Sequence, residues 1–524
     1  MFQPLADNTL RTRVSDVKNL PAPTGGWVSD SSFNGDTIST ARILRNIVPN
    51  QRTARVRSGS QVVSQVAGAV NTLMSYQSGA TKKLLAAANG KVFEIPVVSA
   101  FSGLFRRLNK LLTTPVELKS GLSNSKWQYV SMANAADVVK LVCVNGQDGM
   151  HVYDGTTFDR HTPTTGDKLT FNNITEFKGR LWCTDLGSAI VYYGDPLSNS
   201  PTSMTPFPVG PFLRKGGSIV GIDSLSVDGG SGPDDYLVMV SDRGEIIIWQ
   251  GVDPADDMSL VGVFAESKPL GMRCLKKSGT DLLYFSEHGP DFISRLLPVA
   301  EGIGNELIVP IRTEFENVIA QSHLAFGWDF ILYSKRSWVM FNIPIVPPTQ
   351  MSQFVMNMET NAWFEITDWN AQCWVQHDHY IIFGDANGFI VVADYGGTDR
   401  GNSINFDYMQ SWYEFETNAK KKFNMAQMTI KSNTKPDIAV DIMVDYEEVL
   451  PQSTPNFGQK AASSPWNISP WNTSPWSGSE QFYVNTFGLS DIGFVGALRY
   501  RGSLNDATHE LYGFRVAFEE GAIL

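Results

Sequence analysis

The chain is poor in the features that mark most catalytic or membrane proteins. It has four cysteines in 524 residues, at Cys143, Cys183, Cys274 and Cys373. They are far apart and form no Cys-x-x-Cys pair, which excludes a cysteine zinc knuckle or a thioredoxin-type redox motif. Three of them sit in apolar strand-like runs, so buried free thiols are expected. No apolar stretch reaches the roughly 18 residues that a spanning helix needs. The opening residues have no basic-then-apolar leader pattern, and production in a reducing cytoplasm is expected. Gly-x-Ser-x-Gly and phosphate-loop patterns are missing. There is no excess of positive charge: the formal net charge is -11, which argues against a surface built to grip nucleic-acid phosphates. Such a chain can still line a channel through which DNA slides without sticking.

What is present points to an all-β protein. Hydrophobic residues make up 42%, aromatics 11%, and there are 45 glycines and 27 prolines. Many short apolar runs separated by turn residues follow from that composition. Seven runs read as hairpins: 84–95, 138–154, 180–194, 236–249, 281–293, 330–341 and 380–394. Asn-Gly and Asp-x-Gly corners supply the positive φ that tight primed turns demand. The 330–341 run has no glycine corner and is the weakest of the seven. Spacings of roughly 40–60 residues are blade spacings, so a β-propeller of six or seven blades is expected over residues 61–400. Segment 368–377 precedes the last hairpin, and together with 358–366 it suggests a natural blade.

Residues 1–60 read as an N-terminal arm, with a short helix at 40–46. Residues 401–524 read as a C-terminal β-sandwich-like domain closed by strands near 405–416, 424–432, 437–445, 482–488, 493–501 and 508–518. Between them lies a Pro-Trp loop in which Ser-Pro-Trp recurs, placing Trp466, Trp471 and Trp476 at a five-residue period. Repeated proline forbids an internal strand there. Three indoles on an acidic soluble protein need a surface to cover them. They are interface candidates for a subunit or platform contact, with packing on their own domain as the alternative. Charge is segregated: residues 1–60 hold eight basic and four acidic side chains, residues 437–524 eleven acidic and four basic. Arg52, Arg55 and Arg57 are therefore further interface candidates, for head-to-tail electrostatic pairing between subunits or with a partner.

Other constellations read as structural. His377, Asp378 and His379 place two imidazoles two residues apart, which in a strand share a face, but no third ligand is near in sequence. The Asp228–Asp235 stretch surrounds glycines with carboxylates but lacks calcium-loop spacing. Lys420, Lys421 and Lys422 read as solvated protection of a strand edge. Ser241–Trp249 only approximates the sialidase hairpin, and no carboxylate pair can be assigned for glycoside hydrolysis. No catalytic residue, metal ligand or cofactor is expected.

Several segments, taken in order, resemble one family. These are Asn19–Gly26, Asn46–Ser60, Thr72–Tyr76, Lys83–Phe93, the Asn-Ala-Trp-Phe-Glu stretch at 361–365, the Gly-Asp-x-x-Gly hairpin at 384–388 and the Pro-Trp loop. They resemble the podovirus tail nozzle proteins, also known as tail tubular or packaged-DNA stabilisation proteins of short-tailed bacteriophages. The resemblance implies a propeller with a platform and nozzle. It also implies a homo-oligomeric, hexameric ring in the virion tail, below the portal–adaptor proteins. That ring would retain packaged double-stranded DNA, conduct it during ejection without sequence recognition, and dock tail fibres or spikes. The resemblance implies a structural protein and not an enzyme. The alternative is a glycan-binding or glycan-degrading propeller component of the tail.

Overall fold

The computed structural model describes residues 15–29, 38–96, 113–228, 233–296, 307–458 and 480–521. The chain divides into two units. One comprises Ser58–Asn361 and Glu365–Asn402; the other comprises Met1–Arg57, Ala362–Phe364 and Ser403–Leu524.

The first unit is a β-propeller. Six of its sectors are separate antiparallel sheets: residues 70–119, 128–160, 171–208, 219–265, 275–292, and 371–393 with Ser60–Gln65. A seventh sector is built from the antiparallel strands Asp329–Tyr333, Trp338–Val346 and Gln350–Asn357. The inner strands of successive sectors neighbour one another around a closed circuit, from Val70–Ser78 to Ala371–His377 and back. The last blade takes its outer strand from the start of the chain: Ser60–Gln65 pairs antiparallel with Phe389–Ala393.

Every expected hairpin is present. The Asn89–Gly90 corner has φ of 49° and 68°, which suits a primed turn. In the hairpin without glycine, Ser337 adopts a φ of 54°. The blade strands are buried on both sides: Leu84, Ala86 and Ala88 face the last blade, while Leu85 and Ala87 face the second. This is why the runs read as continuously apolar and not as alternating. Each fully buried Leu or Val contributes about 1.5–3 kcal/mol, so the contacts between blades supply most of the apolar burial. Between the fifth and sixth sectors the filling is aromatic, with Phe285 contacting Phe315, Trp328, Phe330 and Phe341 at centroid distances of 5.0–5.9 Å.

One expectation fails within this unit. Residues 358–366 and 368–377 do not share a blade, because Ala371–His377 is the inner strand of the last sheet. A helix, Arg312–Ser322, precedes the sixth sector and buries Phe315.

The second unit is a β-sandwich made from both ends of the chain. In one sheet the long strand His509–Glu520 pairs with Lys421–Ser432, with Asp16–Pro21 and with Ala54–Val56. In the other, Thr40–Arg45, Ile404–Gln410, Gly496–Leu504 and Ile438–Val444 lie side by side. The core between the sheets is aromatic: Tyr408 stacks on Phe514, and Tyr500 contacts Phe514 and His509. The N-terminal segment is therefore a set of sandwich strands over its described residues and not a free arm. The 40–46 segment is a strand because Ala41 and Leu44 are buried and its backbone completes the ladder with 404–410.

Candidate functional site

The propeller axis is where many propellers bind ligands, and here it is filled by charge. Inner-strand residues from all seven sectors line a cavity of about 260 Å³, among them Thr72, Tyr129, Asn173, Asp223, Arg273, Asp329 and Trp374. Arg273, one-tenth exposed, lies two residues before the inner strand of the fifth blade, Leu275–Ser278. Its Nη2 donates to the carbonyl of Asn71 and to Oγ1 of Thr72, both at 2.9 Å, and to the carbonyl of Trp127 at 3.4 Å. Its Nη1 reaches Asp329 Oδ2 at 3.3 Å. Lys276 Nζ donates to Asp329 Oδ1 at 2.5 Å. One guanidinium thus ties the fifth sector to the first, second and sixth, and two cations hold the carboxylate of Asp329.

A second carboxylate, Asp223, accepts from Thr175 Oγ1 at 3.1 Å and lies 3.9 Å from Lys277 Nζ. Burial raises its pKa, and Lys277 opposes the rise. Asn173 Nδ2 donates to the carbonyls of Val220 and Met272, each at 3.1 Å, stitching three sectors together. The polar groups at the axis are largely engaged with one another, which is the chemistry of a structural plug. A DNA duplex, whose major groove alone is about 12 Å wide, has no passage through an axis filled in this way.

A second cavity, of about 320 Å³, lies beside the fifth blade. Glu266, His288, Asp291 and Arg295 are among its lining residues. Burial raises the pKa of both Glu266 and Asp291, and Arg295 pairs with Asp291. His288 is exposed at the hairpin corner, as expected.

The sequence-based interface residues fare differently from one another. Trp466, Trp471 and Trp476 lie outside the described residues, as does the centre of the Asp228–Asp235 stretch. Arg52 is exposed and Arg55 half-buried opposite Glu510. Arg57 is only 4% exposed, and its Nε donates to Asn46 Oδ1 at 2.7 Å. It is a sandwich residue whose guanidinium clamps the Asn46 turn, and it is corrected from the interface set. Part of the N-terminal charge pairs within the sandwich: Lys18 with Glu416, and Arg42 with Glu448 at 3.0 Å.

Three further readings change. Lys421 is fully buried, with Nζ donating to the carbonyls of Thr417, Ala419 and Phe494 at 2.6–2.8 Å. Its strand is central and paired on both sides, so the lysine run is not edge protection. His377 is buried with Nδ1 2.9 Å from Ser75 Oγ, whereas His379 is exposed beyond the turn at Asp378, whose φ is 55°. The two imidazoles do not share a face. The four cysteines are free and buried as expected; burial pushes the Cys274 and Cys373 thiols up to about 12.

Sequence reasoning missed Arg273 and Asp329. Nothing in their local pattern marks them, since their partners come from blades roughly 50 to 200 positions away.

No family model matches the chain, and no curated protein matches it. Among solved structures it is similar to BBS1N crystallised in complex with ARL6DN, with a TM-score of 0.40 at 8% identity over 65% of this chain and 96% of that one. It is also similar to the WD40 β-propeller domain of Doa1, with a TM-score of 0.38 at 10% identity over 64% of this chain and 96% of that one. The computationally designed Ika8 protein gives 0.36 at 10% identity over 64% and 99%. At these TM-scores the likenesses carry no functional information.

Proposed function

We propose that this chain is a structural subunit of a short-tailed bacteriophage tail, a nozzle-ring component. In that role it retains packaged DNA, conducts it during ejection and docks fibres or spikes. It works by shape and charge and carries out no catalysis. The observation that carries the reading concerns the N-terminal segments on which the family resemblance rests. Strands Asp16–Pro21 and Ala54–Val56 both pair with the C-terminal strand His509–Glu520, so these pieces form one structural unit with the chain's end.

The filled propeller axis adds a constraint. In a ring of such subunits the duplex runs between copies, through a lumen whose walls belong to an acidic chain and repel phosphates. The axis gives a glycan-degrading propeller little support, because the carboxylate of Asp329 is held by Arg273 and Lys276 and that of Asp223 by Thr175. Purified phage particles, probed with an antibody to this chain and imaged by cryo-electron microscopy, test the reading. The expected result is a ring of six copies below the portal–adaptor. Particles that lack the chain, or carry it outside the tail, overturn it.

A further inference from the structure

The outer face of the sandwich's larger sheet has the wrong composition for a solvated surface. A half-buried antiparallel sheet normally turns charged and polar side chains to water. Here strand register lines up three rows across four strands. One row runs Val484, Thr429, Gly513 and Pro21; the next runs Thr486, Gln427, Arg515 and Asn19; the third runs Gly488, Met425, Ala517 and Val17. Arg515 is the one charge in these rows. Val17, Val484, Met425 and Tyr512 expose 62%, 56%, 47% and 38% of their surface. Among the described residues the other charged groups lie at the margins, where Lys431 pairs with Glu480 and Asn424 donates to Glu519.

The face is also dimpled. Gly513 bulges the ladder, and a Cβ there would lie 2.7 Å from the carbonyl oxygen of Leu20. The resulting hollow, about 290 Å³, is lined by Thr429, Tyr512, Arg515, Asn19 and Pro21 among others. Charge depletion, apolar exposure and a hollow edged by Tyr and Arg are features of interface centres.

We infer that this face is a docking surface for a second copy of the same chain. Two arguments fix the occupant. A chain of net charge -11 repels its copies except where the meeting surface is charge-free or basic, and this face is charge-free apart from one cation. Its extent also fits: three rows on four strands cover on the order of 400 Å². That is half of the ~800 Å² per partner of a standard interface, the share expected of an apolar centre surrounded by a polar rim. The inference rests on the ring reading above and names one side of the head-to-tail contact that would build the ring.

The test uses the full chain. Mass photometry over a concentration series compares wild type with Met425→Lys and Arg515→Glu, both outward-facing, with near-ultraviolet circular dichroism reporting that each variant is folded. Assembly of the wild type, with at least a tenfold higher concentration needed for half-assembly of either variant, is the expected result. Variants that assemble like wild type, or a wild type that stays monomeric throughout, overturn the inference. As a check independent of affinity, Thr429→Cys carries a thiol-linked photo-crosslinker, which the four buried native cysteines leave selective. An adduct of two copies supports the inference; no adduct, in a sample shown to be assembled, overturns it. If the chain is found in virion tails while this face proves idle, the surface fails and the nozzle reading stands. If the face dimerises but particles lack the chain, the reverse holds.

Discussion

The two units are both all-β, yet they are held together in opposite ways. The propeller is assembled from hairpins whose partners are near neighbours in sequence, and it needs distant contacts only at the closing strand and at the axis. The sandwich depends on pairing residues from the two ends of the chain, as in Asp16–Pro21 with His509–Glu520. All four cysteines belong to the propeller and none to the sandwich. Both units bury charge: the propeller holds Asp329 at its axis and Asp385 against Arg400 in its last blade, whereas the sandwich buries Arg499 against Asp407 and cages Lys421 with carbonyls. Local repetition therefore makes the propeller, and end-to-end pairing makes the sandwich.

The largest expected break in this contrast is at the axis. Arg273→Met takes a donor from the carbonyls of Asn71 and Trp127 and from Thr72 Oγ1, and leaves Lys276 as the one cation on Asp329. It is expected to cost about 3–5 kcal/mol in the denaturant unfolding of the propeller. Hydrogen exchange should locate the loss in the blades and leave strands 421–432 and 509–520 protected.

The next effect belongs to the sandwich. His509 is 2% exposed among Phe406 and Tyr500, and burial lowers its pKa to about 3. The unfolded chain takes up a proton near the ordinary histidine pKa of about 6.5, and the folded chain does not. This contribution is therefore absent at high pH, and stability falls as pH drops from about 6.5 towards 3. Between pH 7 and 5 the loss is about 2 kcal/mol. Urea midpoints at the two pH values measure it, and His509→Phe should flatten the slope. A His509→Phe variant with the wild-type slope would assign the pH dependence elsewhere.

Smaller still is Lys421→Met, expected to destabilise the sandwich by about 1–2 kcal/mol through three carbonyls left without a donor. Burial lowers the Lys421 pKa and offsets part of the bond energy. The smallest effect is an expected null: no thiol reacts with Ellman's reagent under native conditions. In denaturant the onset of labelling reports the propeller alone, which separates its unfolding from that of the sandwich.

The hairpins were legible because turn chemistry is local. Asn89–Gly90 and Gly388 announce their corners, and the flanking apolar runs belong to strands buried on both faces. Even the glycine-free corner at Ser337 was recoverable from its flanks. The helix Arg312–Ser322 was missed although Phe315, Val318, Ile319 and Ser322 follow helical spacing, because a short helix inside a strand series gives a weak signal. The strand at 40–46 read as a helix because its fate is decided by a partner at 404–410 that no local window contains. The axis was illegible for the same reason. Arg273 resembles any other strand-flanking arginine until ring closure brings Thr72 and Trp127 to it.

The closing strand sets a timetable for synthesis. Ser60 pairs with Ala393, so an early segment must wait at the ribosome for its partner. At about 5–20 residues per second that wait is on the order of tens of seconds, with the strand-forming edge at 60–65 exposed throughout. The blades between can form as they emerge, but the ring cannot lock. The residues that seal the sandwich come later still, at 509–520. A nascent chain of this kind favours a chaperone or a slow-growth temperature over fast overexpression, and truncation anywhere before residue 393 should yield an open, aggregation-prone fan of blades.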